Sequence, residues 1–161
     1  MKMDLELDGK VAMVAAASSG LGLATAEELA KEGCRLSICG RDPGRLESAV
    51  DRLRKTGAEV LARVTDVTDC ADAAAWASET AEHFHCVDIL VTNCGGVSAG
   101  PPSAMMPKDF KDAVQRVLLP SINLVTAALP HLRRSSSGRI LMLASEAIVR
   151  TPVHFALSGV A

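Results

Sequence analysis

The sequence holds no tyrosine. Its aromatic residues are Trp76, Phe84, Phe110 and Phe155 and no others. The missing tyrosine excludes any mechanism that takes its acid from a phenol within these residues. Excess charge is lacking too. Lys and Arg total 17 against 19 Asp and Glu, for a net charge of −2. No electrostatic case therefore arises for nucleic acid or for an anionic membrane as partner. Cys34, Cys39, Cys70, Cys86 and Cys94 include no CxxC pair. They read as reduced small hydrophobic residues of a cytoplasmic protein, with a zinc site as the alternative use. No apolar run approaches the length of a bilayer span, and Met1 opens no apolar leader. The expectation is a soluble chain that is not exported.

What is present is a regular alternation. A chain of 161 residues, 48% of them hydrophobic, suits one domain over residues 1–161 with a substantial core. Val11 to Ala17 is a short apolar run of the kind that strands buried on both faces show. Leu21 to Glu32 follows with helical spacing and stops at Gly33. Further strands are predicted at Arg35–Gly40, Glu59–Thr65, Val87–Thr92 and Arg139–Ala144. Helices are predicted at Pro43–Lys55, Asp69–Phe84 and Lys108–Arg134. Asp42 before Pro43 supplies an N-cap and then proline at the first helical position. Gly95–Pro107 reads as a loop over the sheet end. Pro120 lacks an N–H, so a kink or bulge is expected between Arg116 and Pro120. Strand and helix alternate with no repeat and no linker. Right-handed βαβ units then give an α/β fold, an open doubly wound parallel sheet of order 3-2-1-4-5.

The first strand-to-helix turn carries the strongest motif. It reads Ala16-Ala17-Ser18-Ser19-Gly20-Leu21-Gly22. Gly20 and Gly22 would let the backbone approach a pyrophosphate at the helix N-terminus, where unpaired N–H groups favour anions. Glycines in a plain tight turn are the alternative. Arg41 directly follows the second strand, and a guanidinium offers fixed donors to a phosphate. A solvated loop charge is the plainer reading of that residue.

Several motifs in one order resemble the short-chain dehydrogenase/reductase family, a Rossmann-like fold. That family carries T-G-x-x-x-G-x-G at the first turn. Here Gly20 and Gly22 match, while Ala15 and Ala16 replace the Thr and first Gly. The family's Asp-Val, which touches the adenine, matches Asp66-Val67. Its N-N-A-G appears as Thr92-Asn93-Cys94-Gly95. Leu129-Pro130-His131-Leu132, Gly138-Arg139-Ile140 and Ala144-Ser145 track its fifth-strand region. The resemblance covers nearly the whole chain. It implies cofactor contacts at Ala16, Ser18, Ser19, Gly20, Leu21, Gly22, Arg41, Asp66, Val67, Asn93 and Gly95. Arg41 stands where the family reads the 2′-phosphate, which points to NADP(H), with NAD(H) as the alternative. Ala16 puts a methyl group where the family keeps glycine, so weaker cofactor binding is expected.

The catalytic pattern departs from the family. The catalytic Ser matches Ser145. The Tyr position, thirteen residues later, holds Ser158. The Lys position lies past Ala161, and the helical Asn falls on Val117. Asn123 is nearby but six residues out of register. These departures are similar to a side branch of the family that is 3-oxoacyl-ACP-reductase-like, with A-A-S-S-G-[IL]-G at the turn and Leu-Ser near the Tyr position, as in Leu157-Ser158. A serine hydroxyl is a far weaker acid than an activated phenol. Ser145 could still polarise a carbonyl through a hydrogen bond. His154 is a second candidate proton source, an exposed loop histidine being the plainer reading. Two expectations stand together. One is an NADP(H)-dependent oxidoreductase acting on a small carbonyl or hydroxyl compound. The other is a non-catalytic nucleotide-binding pseudoenzyme or fragment. The family continues with further elements that cover the fifth strand. An apolar edge and association are therefore expected if these residues are the whole molecule, and further catalytic residues beyond them if they are a truncated part; a homo-oligomer is expected.

Overall fold

The first strand, β1 (Val11–Val14), is fully buried. Its side chains alternate between two apolar layers, with Ala12 and Val14 on one face and Met13 on the other. Burial on both faces is why the segment reads as one continuous apolar run. The computed structural model describes residues 4–150 and 152–159. Four more strands follow: β2 (Arg35–Gly40), β3 (Val60–Val64), β4 (Ile89–Thr92) and β5 (Arg139–Met142). All pair in parallel, in the order β3-β2-β1-β4-β5. That is the expected doubly wound order.

Helices α1 (Gly20–Lys31) and α2 (Pro43–Arg54) cover one face of the sheet. Helices α3 (Cys70–Phe84) and α5 (Leu119–Leu132) cover the other. Their starts follow local chemistry. The Asp42 carboxylate accepts the Arg45 N–H at 2.9 Å ahead of Pro43, and the Asp69 carboxylate accepts the Ala71 N–H at 2.8 Å. A short helix, α4 (Pro107–Ala113), opens on Pro107, and Asp109 reaches back to the Met106 N–H at 2.7 Å.

Strand ends differ from the sequence expectation for identifiable reasons. β1 stops at Val14 rather than Ala17, because Ala16 turns into the left-handed region at φ 48° and breaks the pleat. Only single bonds then continue the ladder, from Ala15 N–H to Val91 O and from Ala17 N–H to Cys39 O. β4 starts at Ile89 rather than Val87. The Asp88 backbone already joins the ladder, and its carboxylate accepts the Val11 N–H at 2.9 Å and the Ser135 hydroxyl at 2.5 Å. Burial works against the charge on Asp88, yet these two bonds hold its carboxyl below the ordinary value. β5 ends at Met142, and all four of its residues are exposed. Ile140, Leu141 and Met142 are 41%, 51% and 56% exposed, which leaves the apolar edge expected at this strand.

Between α4 and α5 the helix widens into a π-turn, Val114–Leu118. The Leu119 N–H donates to Val114 O, five residues back. Ala113, Leu118 and Leu119 all keep right-handed helical dihedrals, so the chain runs through without a break. The irregularity expected between Arg116 and Pro120 is present and begins two residues earlier. Pro120 sits buried just after the π-turn and has no N–H to offer the carbonyls of that turn.

One buried polar knot ties β2 to α3. The Trp76 indole donates to Ser37 Oγ at 2.8 Å, Ser37 and Thr80 hydroxyls meet at 2.6 Å, and Thr80 donates to Trp76 O at 2.8 Å. All three residues are fully buried. Ser37→Ala removes the acceptor for a buried indole N–H and should destabilise the chain by about 1–3 kcal/mol. Urea unfolding followed by fluorescence measures this, since Trp76 is the only tryptophan. A midpoint unchanged from the parent chain would contradict it.

Candidate functional site

A cleft of about 470 Å³ opens at the C-terminal ends of β1, β2 and β4. It lies where the strand order reverses, between β1 and β4, the place where open α/β sheets bind ligands. Its floor is the β1–α1 turn. Ser18, Ser19, Gly20 and Leu21 line it together with Ala16. Gly20 holds φ 57°, a left-handed conformation natural to glycine. Gly22 does not line the cleft but lies beneath the turn. A Cβ there would stand 2.5 Å from Ala16 O and 2.8 Å from Asn93 Nδ2. Only glycine lets the first turn of α1 sit against that carbonyl.

The start of α1 is left open to an anion. Its N-cap Ser19 makes no side-chain capping bond, and no acid occupies the first turn. The free N–H groups and positive end of the helix dipole therefore meet the cleft without a competing carboxylate. Asn93 donates to Ala16 O at 3.4 Å, tying the turn to the end of β4. Asn93 and Gly95 also line the cleft.

The opposite wall is the β3–α3 loop. Asp66 and Val67 line the cleft, with Thr65 and Thr68. Asp66 Oδ1 accepts the Thr68 N–H at 3.0 Å and the Thr68 hydroxyl at 2.8 Å. The Asp66 N–H donates to Asp72 Oδ2 at 2.7 Å, and Arg63 donates to Asp72 Oδ1 at 2.8 Å. The Arg63 guanidinium holds the Asp72 carboxyl below its ordinary value, helped by the Asp66 N–H. Arg41 is exposed at the end of β2 and lines the cleft.

Ten of the eleven residues implied as cofactor contacts thus meet around one hollow, and the eleventh, Gly22, supports its floor. The catalytic candidates lie elsewhere. Ser145 is exposed and borders a separate hollow with Glu146, Arg150 and Phe155. Its Oγ accepts the Ala147 N–H at 3.1 Å and caps a short 3₁₀ turn, Glu146–Ile148. Ser158 is half-buried and borders neither hollow. His154 is exposed, and its carbonyl accepts the Gly100 N–H at 2.6 Å. Val117 lies in the π-turn, where its carbonyl takes the Cys94 thiol at 3.5 Å and the Ser121 hydroxyl at 3.4 Å.

Sequence reasoning missed several cleft residues. Arg45, in the first turn of α2, adds a second guanidinium to the one that Arg41 brings from the preceding loop. Arg116 reaches the cleft from the π-turn, which no local pattern announces. Cys39 and Cys94 also border it. Burial pushes the Cys39 thiol up to about 12 and raises that of Cys94, so both stay neutral near pH 7.

The fold and this cleft have clear counterparts. The family model described as short chain dehydrogenase matches residues 10–157. The chain belongs to the short-chain dehydrogenase family. It is 34% identical over 147 residues to a protein of Streptomyces violaceoruber named "Granaticin polyketide synthase putative ketoacyl reductase 1", covering 89% of this chain and 54% of that protein. L-sorbose reductase from Gluconobacter frateurii, solved with NADPH and L-sorbose, superposes with a TM-score of 0.91 at 30% identity, over 98% of this chain and 60% of that one. An NADPH-bound short chain oxidoreductase from Pseudomonas aeruginosa, described as having an atypical catalytic center, gives 0.90 at 30% identity over 94% and 60%. The chain therefore spans little more than half the length of these relatives. Among the described residues no helix is long and apolar enough to cross a membrane.

Ala16 generates the sharpest test of the turn in this short-chain dehydrogenase. Its φ of 48° is a conformation that costs a residue with a Cβ roughly 1 kcal/mol relative to glycine. Ala16→Gly should raise stability by about that much, read as a higher melting temperature, and should tighten nucleotide binding. An unchanged or lower melting temperature would show that the strain is absent.

Proposed function

We propose that the cleft binds NADP(H) and that the chain is the nucleotide-binding part of a short-chain oxidoreductase of the 3-oxoacyl-reductase type. The substrate class is a small or acyl-carried carbonyl, or the corresponding hydroxyl compound. The observation that carries this reading is the convergence at the strand-order reversal of an uncapped, acid-free helix start, two positioned glycines and the guanidinium of Arg41. Those features fit a dinucleotide with a 2′-phosphate. Gly20, Leu21, Ser18 and Ser19 would hold the pyrophosphate, Arg41 and Arg45 the 2′-phosphate, and Asp66 with Val67 the adenine. Asn93 and Gly95 would flank the nicotinamide half. The bound nicotinamide supplies a hydride donor for a carbonyl carbon. NAD(H) is the alternative cofactor, and a homo-oligomer is part of the proposal.

The protein's own contribution to the chemistry rests on Ser145. Its Oγ accepts from Ala147, which leaves the hydroxyl proton to donate to a carbonyl oxygen. General acid–base catalysis is typically worth about 10²–10⁴-fold, so turnover with serine at the family's Tyr position is expected to be slow. A second reading, a nucleotide-binding protein without catalysis, is favoured by one observation: Ser145 borders a hollow separate from the nucleotide cleft.

Titration with NADPH and NADH, followed by cofactor fluorescence, tests the binding. NADPH should bind more tightly. Arg41→Ala should weaken NADPH by roughly tenfold or more, the value of one charge-assisted hydrogen bond, and leave NADH little changed. Equal losses for both cofactors would remove Arg41 from phosphate recognition. Mixing NADPH with a 3-oxoacyl thioester without oxygen separates the two readings. Slow loss of NADPH absorbance supports the oxidoreductase, and tight binding with no loss supports the non-catalytic protein.

A further inference from the structure

We propose that Asn123 is a positioning residue that holds the adenine wall of the cleft in its binding-competent shape. This inference rests on the nucleotide reading of the cleft. Asn123 lies on α5 and does not itself border the cleft. Its side-chain amide nitrogen lies 3.2 Å from Val67 O and 3.2 Å from Thr68 O. Both partners are carbonyl oxygens, which only accept, so the amide nitrogen is the group that must face them. Two consecutive peptide planes are thereby pinned from a helix more than fifty residues away in sequence.

The pinned segment is otherwise short of support on that side. Asp66 fixes the Thr68 N–H, and Asp66 O accepts the Asp69 N–H at 2.9 Å. The Val67 N–H has no hydrogen-bond partner among the described residues. Val67 lines the cleft, and the proposal assigns this unpaired donor to a ring nitrogen of the adenine. An unpaired donor has value to a ligand only if its direction is fixed in advance. The Val67 N–H shares its peptide plane with Asp66 O, which the Asp69 N–H holds, and Asn123 braces the next two planes through Val67 O and Thr68 O, so the loop that carries the donor is held from both sides. Adenine N1 accepts a hydrogen bond, whereas hypoxanthine carries an N1–H and would meet the Val67 N–H donor to donor.

That difference gives a readout that general stability does not move. Affinities of the chain for NADPH and for its hypoxanthine analogue, deamino-NADPH, are compared by cofactor fluorescence. The parent chain should prefer NADPH by about tenfold. Asn123→Leu should lower NADPH affinity several-fold and shrink the preference several-fold, because a loosened loop reads the base less strictly. Asn123→Asp, close in shape, should act in the same direction near pH 7, since a carboxylate cannot donate to either carbonyl. It covers the case in which the leucine variant fails to fold. An unchanged NADPH to deamino-NADPH ratio in a folded variant overturns the role of Asn123 alone. Failure of the parent chain to bind either dinucleotide overturns the nucleotide reading and this inference with it.

Discussion

The contact between the first turn of α1 and the carbonyl of Ala16 governs the upper half of this structure. The chain leaves β1, reverses at Ala16 and enters α1 so closely that no side chain fits at Gly22. Asn93 secures the same carbonyl from the end of β4. Because the turn is fixed at both sides, the open end of α1 faces the gap between β1 and β4. The neighbouring loops then close around that gap. The order of strands makes the gap, and the turn decides what it can hold.

Much of this was legible in the sequence because it depends on short-range patterns. Alternating apolar runs and helical spacings announce five parallel strands, and right-handed crossovers leave few ways to arrange them. Asp42-Pro43 announces its helix start through side-chain chemistry alone. The glycine turn announces the cleft through its place at the first strand-to-helix turn, and Asp66-Val67 announces it through the family resemblance. Less legible were features set by distant partners. The end of β1 depends on a backbone reversal at an alanine, a residue that carries no turn signal. The interplay of Asn123 with Val67 and Thr68 joins α5 to a loop across the sheet end, and no spacing along the chain encodes it. Arg116 reaches the cleft because a π-turn redirects it, so its helical phase misleads.

The two halves of the expected machinery are unequally built. Around the nucleotide cleft each loop is braced by hydrogen bonds from its neighbours, and the guanidinium groups of Arg41, Arg45 and Arg116 border it. Around Ser145 the described residues supply a capping bond, a short 3₁₀ turn and a bridge between Gly100 and Phe155. β5, which leads into Ser145, is open to solvent on its sides. Groups held by few contacts are placed less strictly than groups held by many, and catalysis is sensitive to such placement.

A π-turn is an α-helical turn that accommodates one extra residue. Val114–Leu118 thus holds one residue more than the regular α-helical turn would. A related chain lacking one residue in that stretch would keep α4 and α5 in their places, with an unbroken ladder between them. A chain lacking one residue further on would turn Leu124, Ala128 and Leu132 about 100° away from the sheet. Length variation in this helix should therefore gather at the π-turn. Counting residues from opposite ends of the helix then gives answers one position apart for the residue that corresponds to Val117.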